Sequence, residues 1–192
     1  TAEKEIIVDY KEDLRIIRTR KLLSATLLDM MEEQSLEKIS VIDLCTKALV
    51  NRATFYAHFE DKYHLLTFAL EELKDEVYAR FSKDVKASTP NEVLLKLAHM
   101  TFDFVKDNKN HVANLLKHNR NEKVIITIKD SLTQSVKYQL GKFHSTFPHN
   151  VPILVTATAF AGSLVDLCLW YLDNVEKCTE SEMKSYVNAL FG

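Results

Sequence analysis

The sequence predicts an all-α protein of about nine helices, and three observations support this prediction. Of its 192 residues, 46% are apolar, which is enough for a buried core at this length. The chain contains only three Gly and three Pro, whereas average usage would supply about 13 and about 9. Sandwiches and barrels need those residues for their tight turns, and phosphate-binding loops need Gly. Finally, apolar residues recur at helical spacing along most of the chain.

The sequence pattern of the N-terminal segment predicts one long helix and one short helix. Residues 1–10 carry no clear pattern and are expected to be frayed. Over residues 14–31, apolar residues recur at intervals of three and four, which predicts a helix with a wide buried stripe. Ser40, followed three residues later by Asp43, has the spacing of a capping box and predicts a short helix over residues 40–47.

Two further helices are predicted before the first clear boundary. Asn51 is a good N-cap for a helix over residues 52–58, in which Phe55 and Phe59 lie four residues apart on one face. A longer helix is expected to begin at Glu60–Asp61 and to run to about Phe81.

The C-terminal half begins with a triple start signal. Thr89 is a suitable N-cap, Pro90 suits the first helical position, and Glu92 completes the pattern of a helix that breaks at residues 107–110. The other predicted helices are a short one over 111–117, a long one that stops at Phe147–Pro148, an apolar one over 153–172, and one opened by a capping box at Thr179–Glu182 that runs to Phe191.

Charge and cysteine content exclude several classes of protein. The formal net charge is −2, so neither a strongly basic coat nor an acidic tail describes the whole chain. The three cysteines are widely spaced, with no CxxC and no zinc-ligand spacing, so neither a metal nor another cofactor is expected. Reduced thiols and the lack of a signal-peptide pattern favour a cytoplasmic location.

The two short helices have the spacing of a helix-turn-helix, in which the second helix enters the major groove of DNA. Phe55 and Phe59 would face the core. The polar and aromatic side chains left on the other faces can donate or accept hydrogen bonds to bases and phosphates. They are Asn51, Arg52, Thr54, Tyr56 and His58.

The run from Ser40 to Leu66 resembles the DNA-binding domain of TetR-family transcriptional regulators. The stretch Thr54-Phe-Tyr-Ala-His-Phe-Glu-Asp-Lys62 is its most distinctive part, and detailed resemblance covers residues 15–70. The resemblance implies a helix-turn-helix domain over 10–66, joined by a long helix to a helical effector-binding and dimerisation domain over 67–192.

The resemblance also implies a set of DNA contacts. They are Ser40, which would cap the bracing helix and touch a phosphate; Asn51, Arg52 and Thr54, on bases and phosphates; Tyr56 and His58, on the backbone; and Lys62, on a phosphate. Arg20 is expected to add a phosphate contact, because residues 15–21 contain four basic residues and no acidic one. Over residues 11–66, however, nine basic residues balance nine acidic ones, so any positive surface is local.

Two positions depart from the family pattern. Leu49 in the turn and Ser35 at the end of the first helix stand where many members have Gly. A left-handed Leu would cost about 1–2 kcal/mol. Either the turn keeps that conformation at this cost, or it is rebuilt and reorients Asn51 and Arg52.

The apolar helix over 153–172 is long enough to span a membrane. Asp166 lies inside it, and no Lys or Arg occurs between Lys142 and Lys177. A buried role is therefore favoured. In the family architecture the last long helices form a four-helix bundle across a twofold axis, which implies a homodimer.

The resemblance further implies a ligand pocket in the C-terminal half. The candidates are polar or aromatic residues on or near apolar stripes, and for each of them a core or surface role stays open. They are His99, Asp103, Tyr138, Asp166, Cys168 and Trp170. The i, i+4 pair His99 and Asp103 could also form a metal pair, a catalytic dyad or an ordinary helix-surface contact.

Two hypotheses for function follow. The first is a homodimeric DNA-binding regulator, expected to be a repressor that binds a palindromic operator and is released by an unknown small-molecule effector. The second is a protein–protein interaction or co-activator module with a degenerate DNA reader, which Leu49 and the balanced charge keep open. No catalytic constellation is visible, so an enzyme is not expected.

Overall fold

The computed structural model describes residues 2–81, 89–143 and 151–192. Within these residues the protein is all-α, with nine α-helices, one 3-10 turn and no strand. The helices are α1 (Ala2–Glu33), α2 (Val41–Lys47), α3 (Arg52–His58), α4 (Lys62–Phe81), α5 (Pro90–Asp107), α6 (Lys109–Asn119), α7 (Glu122–Gly141), α8 (Ile153–Asp173) and α9 (Glu180–Phe191). The 3-10 turn is Leu36–Lys38, between α1 and α2. The predicted fold class is confirmed.

Most predicted helix starts are confirmed by their caps. Four side chains accept a hydrogen bond from a backbone N–H in the first turn, which satisfies donors that the helix itself leaves unpaired. They are Ser40 from Asp43 at 3.1 Å, Asn51 from Ala53 at 2.8 Å, Thr89 from Glu92 at 3.2 Å, and Thr179 from Glu182 at 3.2 Å.

Three boundaries differ from the predictions. The first helix begins at Ala2 instead of fraying over residues 1–10, since that segment contains neither Gly nor Pro to stop it. The helix α6 is two residues longer at each end than predicted. The long helix α7 ends at Gly141, and the predicted stop at Phe147–Pro148 lies outside the described residues.

The chain divides into two compact units. The first comprises the residues up to Leu70 together with Asn114–Asn119, which form the last part of α6. Its core is formed by large apolar side chains of α1 to α4 and the 3-10 turn. They are Leu23, Leu27, Met31, Leu36, Leu44, Phe55, Phe59, Leu65 and Leu66, each at most 1% exposed.

The second unit comprises Glu71–Ala113 and Arg120–Gly192, within the described ranges. Its core is formed by α5, α7, α8 and α9. Phe102 meets the ring of Tyr171 edge-on at 5.1 Å. At its surface, Arg120 donates two hydrogen bonds of 2.7 Å to the carboxylate of Asp173, and these bonds lower the pKa of that carboxyl.

The helix α8 has two contrasting faces. Among the described residues, α8 is the helix whose length and composition would allow it to cross a membrane. Its most apolar 18-residue stretch has a mean hydropathy of 1.8, and 33% of that stretch is buried. One face is in the core, where Phe160 and Leu164 are 5% and 0% exposed. Outside the core, Leu154 and Val155 are 50% and 54% exposed.

Candidate nucleic-acid interface

The helix α3 separates apolar from polar side chains, as predicted. Phe55 and Phe59 are 0% and 1% exposed, and their ring centroids lie 5.8 Å apart. Arg52 and Tyr56 are exposed, while Thr54 and His58 are half-buried. The core face therefore anchors the helix and leaves a mixed polar and aromatic surface in solvent.

Asn51 caps the start of α3, and its DNA contact stays a prediction. Its Oδ1 accepts from the Ala53 N–H at 2.8 Å, and the residue is exposed. Because the cap uses Oδ1, the Nδ2 group is the donor with which this side chain can reach a base or phosphate. The cap also fixes where Arg52 and the rest of the first turn begin.

Ser40 caps α2, as the resemblance implied. Its Oγ accepts from the Asp43 N–H at 3.1 Å and donates to Asp43 Oδ2 at 2.6 Å. In a full capping box the acidic side chain accepts from the N-cap backbone, whereas here the Asp43 carboxylate accepts from the hydroxyl. The predicted phosphate contact of Ser40 stays a prediction.

The turn between α2 and α3 keeps its left-handed residue. Leu49 has φ 54°, and it is the positive-φ non-Gly residue of the described chain. Three backbone bonds close the turn, the last from the Val50 N–H to the Cys45 carbonyl at 2.9 Å. The alternative of a rebuilt turn is therefore wrong. Ser35, by contrast, has φ −70°, so no Gly is needed there.

Arg20 lies against aromatic rings of the first unit. Its guanidinium carbon is 4.1 Å from the ring centroid of Phe68 and 5.4 Å from that of Phe59. Such stacking is favourable for a weakly hydrated guanidinium. Its Nε is buried and has no hydrogen-bond partner among the described residues. The structure thus gives Arg20 a packing role, and its phosphate contact stays a prediction.

Lys62 directs its ammonium group into the protein. The Nζ donates to the backbone carbonyls of Leu36 at 2.7 Å, Glu37 at 2.9 Å and Ile39 at 2.9 Å. An ammonium has three donors, and here three acceptors surround it. These partners are far apart in the chain, so no local pattern predicts them, and the phosphate contact of Lys62 stays a prediction.

The candidate ligand residues of α5 form contacts with α9. His99 Nε2 lies 2.8 Å from Asn188 Oδ1, and Asp103 Oδ1 forms ion pairs with Lys106 at 3.6 Å and with Lys184 at 3.5 Å. His99 and Asp103 therefore each contact a residue of α9, and the alternatives for the pair stay predictions.

The other four candidates lie on α7 and α8. Tyr138 is 70% exposed beside an open groove of about 530 Å³ on α7, with Lys142 Nζ 4.6 Å from its ring centroid. Asp166 pairs with Lys129 at 2.8 Å. Trp170 is 44% exposed and meets Tyr186 edge-on, with centroids 6.3 Å apart.

Cys168 is the buried candidate. It is 6% exposed, and burial raises the pKa of its thiol to about 12. Such a thiol is a packing group rather than a nucleophile. The six candidates lie on α5, α7 and α8, and a ligand role for each stays a prediction. Within the described ranges, no three His, Cys, Asp or Glu side chains are grouped so that they could hold a metal ion.

Comparison of sequences gives one partial relative. No family model matches the chain. An uncharacterized HTH-type transcriptional regulator, YxbF of Bacillus subtilis, is 36% identical over 87 residues, which are 45% of this chain and 22% of that protein. The match thus spans about a fifth of the length of that relative.

Comparison of structures gives matches over most of the chain. A putative TetR-family regulator from a Shewanella species has a TM-score of 0.63 at 17% identity, covering 90% of this chain and 95% of the other. A TetR transcriptional regulator from Streptococcus agalactiae has a TM-score of 0.62 at 22% identity, covering 95% and 98%. The regulator FadR of Bacillus subtilis, in complex with stearoyl-CoA, has a TM-score of 0.52 at 14% identity, covering 89% and 95%.

Proposed function

We propose that this chain, which has the fold of TetR-family transcriptional regulators, is a DNA-binding transcriptional regulator that reads duplex DNA with α3. The observation that carries the proposal is the surface of this helix. Its two Phe rings are buried, and Asn51, Arg52 and Tyr56 are exposed along its first turns. A helix anchored in this way can enter a major groove with its N-terminal residues on base edges.

The chemistry of the exposed side chains suits this role. Arg52 can donate two parallel hydrogen bonds to a guanine or a phosphate, and the Nδ2 of Asn51 can donate to an acceptor on a base edge. Thr54, Tyr56 and His58 can bind the sugar-phosphate backbone. The positively charged part of the interface would be confined to a small surface, because the basic and acidic residues of 11–66 are equal in number.

A homodimer that binds a palindromic operator is part of the proposal. The surface of α8 that lies outside the core, with Leu154 and Val155, and the exposed Tyr186 and Leu190 of α9 offer apolar area to a second copy. A twofold axis would place two α3 helices in half-sites about 34 Å apart or at a wider spacing.

Effector control and a cytoplasmic location complete the proposal. A neighbour of similar fold, FadR of Bacillus subtilis, was solved with stearoyl-CoA. By analogy, the second unit of this chain would bind a small molecule that favours a conformer with low DNA affinity, as expected for a ligand-released repressor. All three cysteines are buried and free, which suits a reducing compartment.

A second candidate is an interaction module with a degenerate reader. Two apolar side chains are exposed in and next to the helix-turn-helix, Ile42 at 54% and Leu49 at 94%. Such side chains suit a protein partner at least as well as a phosphate backbone. We favour DNA because the exposed groups of α3 are hydrogen-bonding groups.

The test is a fluorescence titration of the full chain with duplexes enriched from a random-sequence pool, at two salt concentrations. The wild type should bind an enriched duplex with a Kd on the order of 10⁻⁸–10⁻¹¹ M that weakens steeply with salt. Arg52→Ala should lose about 1–3 kcal/mol of binding free energy, and Tyr56→Phe should weaken binding through the lost hydroxyl.

The control is Lys177→Ala, which removes an exposed positive charge from the second unit and should leave the Kd unchanged. If no enriched duplex binds more tightly than the unselected pool, the chain does not read DNA and the interaction-module candidate replaces the proposal.

A further inference from the structure

The segment between α1 and α2 is held from two sides by polar side chains. We call residues 34–40 the connector; it contains the 3-10 turn and leads into the cap of α2. Short irregular segments leave backbone groups that need partners outside a regular helix. Here the partners come from Lys62 at the start of α4 and from Asn119 at the end of α6.

Lys62 binds one side of the connector through its ammonium group. Its Nζ donates to the carbonyls of Leu36, Glu37 and Ile39, at 2.7, 2.9 and 2.9 Å. Three acceptors converging on one nitrogen match the three donors of an ammonium. A planar guanidinium cannot aim its donors at three atoms around a single point.

Asn119 binds the other side of the connector, although it lies more than eighty residues away in the sequence. Its side chain is fully buried, and its Oδ1 accepts from the Leu36 N–H at 2.6 Å. Its Nδ2 donates to the carbonyls of Met31 at 2.8 Å and Leu115 at 2.9 Å, with Gln34 at 3.3 Å. The amide thus joins the end of α1, the connector and α6 within the first unit.

Leu36 is where the two sides meet. Its N–H donates to Asn119, its carbonyl accepts from Lys62, and its side chain is fully buried. Loss of either partner would leave a buried or half-buried polar group unpaired, which is more unfavourable than the mean gain from one hydrogen bond. The connector ends at Ser40, the N-cap of α2, so its position sets where α2 begins.

We propose that Lys62 and Asn119 are positioning residues that clamp the connector and thereby hold the α2–α3 pair in its reading geometry. In this assignment Lys62 acts through the connector and does not neutralise a phosphate. The DNA readout of this inference rests on the proposed function, whereas the clamp itself can be measured without DNA.

The salt dependence of DNA binding separates the two roles of Lys62. A lysine on a phosphate contributes about 0.9 to the slope of log K against log salt, because it releases a counterion on binding. A positioning lysine contributes to affinity without contributing to that slope. Lys62→Met should therefore weaken binding to an enriched duplex about tenfold with an unchanged slope.

Conservative replacement gives an independent readout. Lys62→Arg keeps the charge, so a phosphate contact would survive it. The clamp would not, and we expect both Lys62→Met and Lys62→Arg to lower the Tm by about 3–6 °C. Lys38→Met removes an exposed lysine from the connector itself and should leave the Tm unchanged.

Amide hydrogen exchange tests the other half of the clamp. In the full chain the Leu36 N–H should be protected, and Asn119→Ala should increase its exchange rate at least about tenfold, because its acceptor is removed. The matched control is Asn114→Ala, on an exposed position of the same helix, which should leave Leu36 protected.

Two results would overturn the proposal: a slope reduced by about 0.9 in Lys62→Met but restored in Lys62→Arg, or Leu36 exchange that does not respond to Asn119→Ala. If the wild type binds no duplex at all, the proposed function fails. The clamp is then decided by the Tm and exchange measurements alone.

Discussion

At the scale of single residues, Leu49 is the clearest departure from local preference. A Cβ in the left-handed region lies too close to the following carbonyl, which is why Gly is usual there. At φ 54° the Leu side chain is 94% exposed, so it gains almost no burial to offset this strain. The position therefore weakens the turn relative to what a glycine would give.

We predict that Leu49→Gly stabilises the protein by about 0.5–1 kcal/mol, because relief of the strain exceeds the larger entropy that Gly has in the unfolded chain. Urea unfolding of the full chain would measure this change. Leu49→Ala keeps a Cβ at the same φ and should leave stability nearly unchanged. Equal stability of the Gly and Ala variants would contradict the prediction.

At the scale of elements, helix ends are fixed by local hydrogen bonds. The helix α9 has a complete capping box, in which Glu182 Oε2 accepts from the Thr179 N–H and hydroxyl, both at 2.8 Å. The bonds from the backbone and then from the hydroxyl lower the pKa of the Glu182 carboxyl.

We predict that this cap contributes an acid-labile part of the stability. Because the pKa of Glu182 is lower in the folded state than in the unfolded one, the contribution is complete above its unfolded pKa and disappears as the pH falls through the folded value. Carboxyl titration by NMR should show the lowered pKa in the wild type and a return towards the ordinary value in Thr179→Ala. The lowered pKa of Asp173, which is due to Arg120 and not to the cap, should be the same in both proteins.

The caps also show how far sequence reasoning reached. Ser40, Asn51, Thr89 and Thr179 were predicted because cap and partner lie two or three residues apart. Partners far apart in the chain could not be predicted in the same way. The Arg20 stacking on Phe68, the three carbonyls around Lys62, and the whole role of Asn119 depend on tertiary contacts that no local pattern encodes.

At the scale of the whole molecule, α8 has more apolar surface than one unit can bury. Its mean hydropathy of 1.8 would suit a membrane span, yet part of it lies in a core with Phe102 and Met183. The sequence predicted a buried helix because apolar residues occur on all sides of it, whereas Leu154 and Val155 are exposed in the described chain. Predicting which residues of α8 stay exposed would have required knowledge of how α5, α7 and α9 pack.

We predict that Val155→Asp converts the proposed dimer to a monomer. In a twofold interface the introduced charge meets or approaches its own copy, so the dimer dissociation constant should rise about a hundredfold or more. Sedimentation equilibrium would measure it. Ile126→Asp places the same charge on an exposed position of α7 and should leave the dimer intact; loss of the dimer in both variants would contradict an interface formed by α8 and α9.

The place of Asn119 in the first unit also bears on how the protein is made. On a ribosome, the residues up to Leu70 emerge well before the amide that pairs with the Leu36 N–H and with the carbonyls at the end of α1. Domains generally fold as they are synthesised, but this one is completed only after residues 71–119 have followed it. A nascent chain arrested before residue 119 should therefore hold an incomplete first unit, and under the proposed function the chain would bind DNA only after this residue has been synthesised.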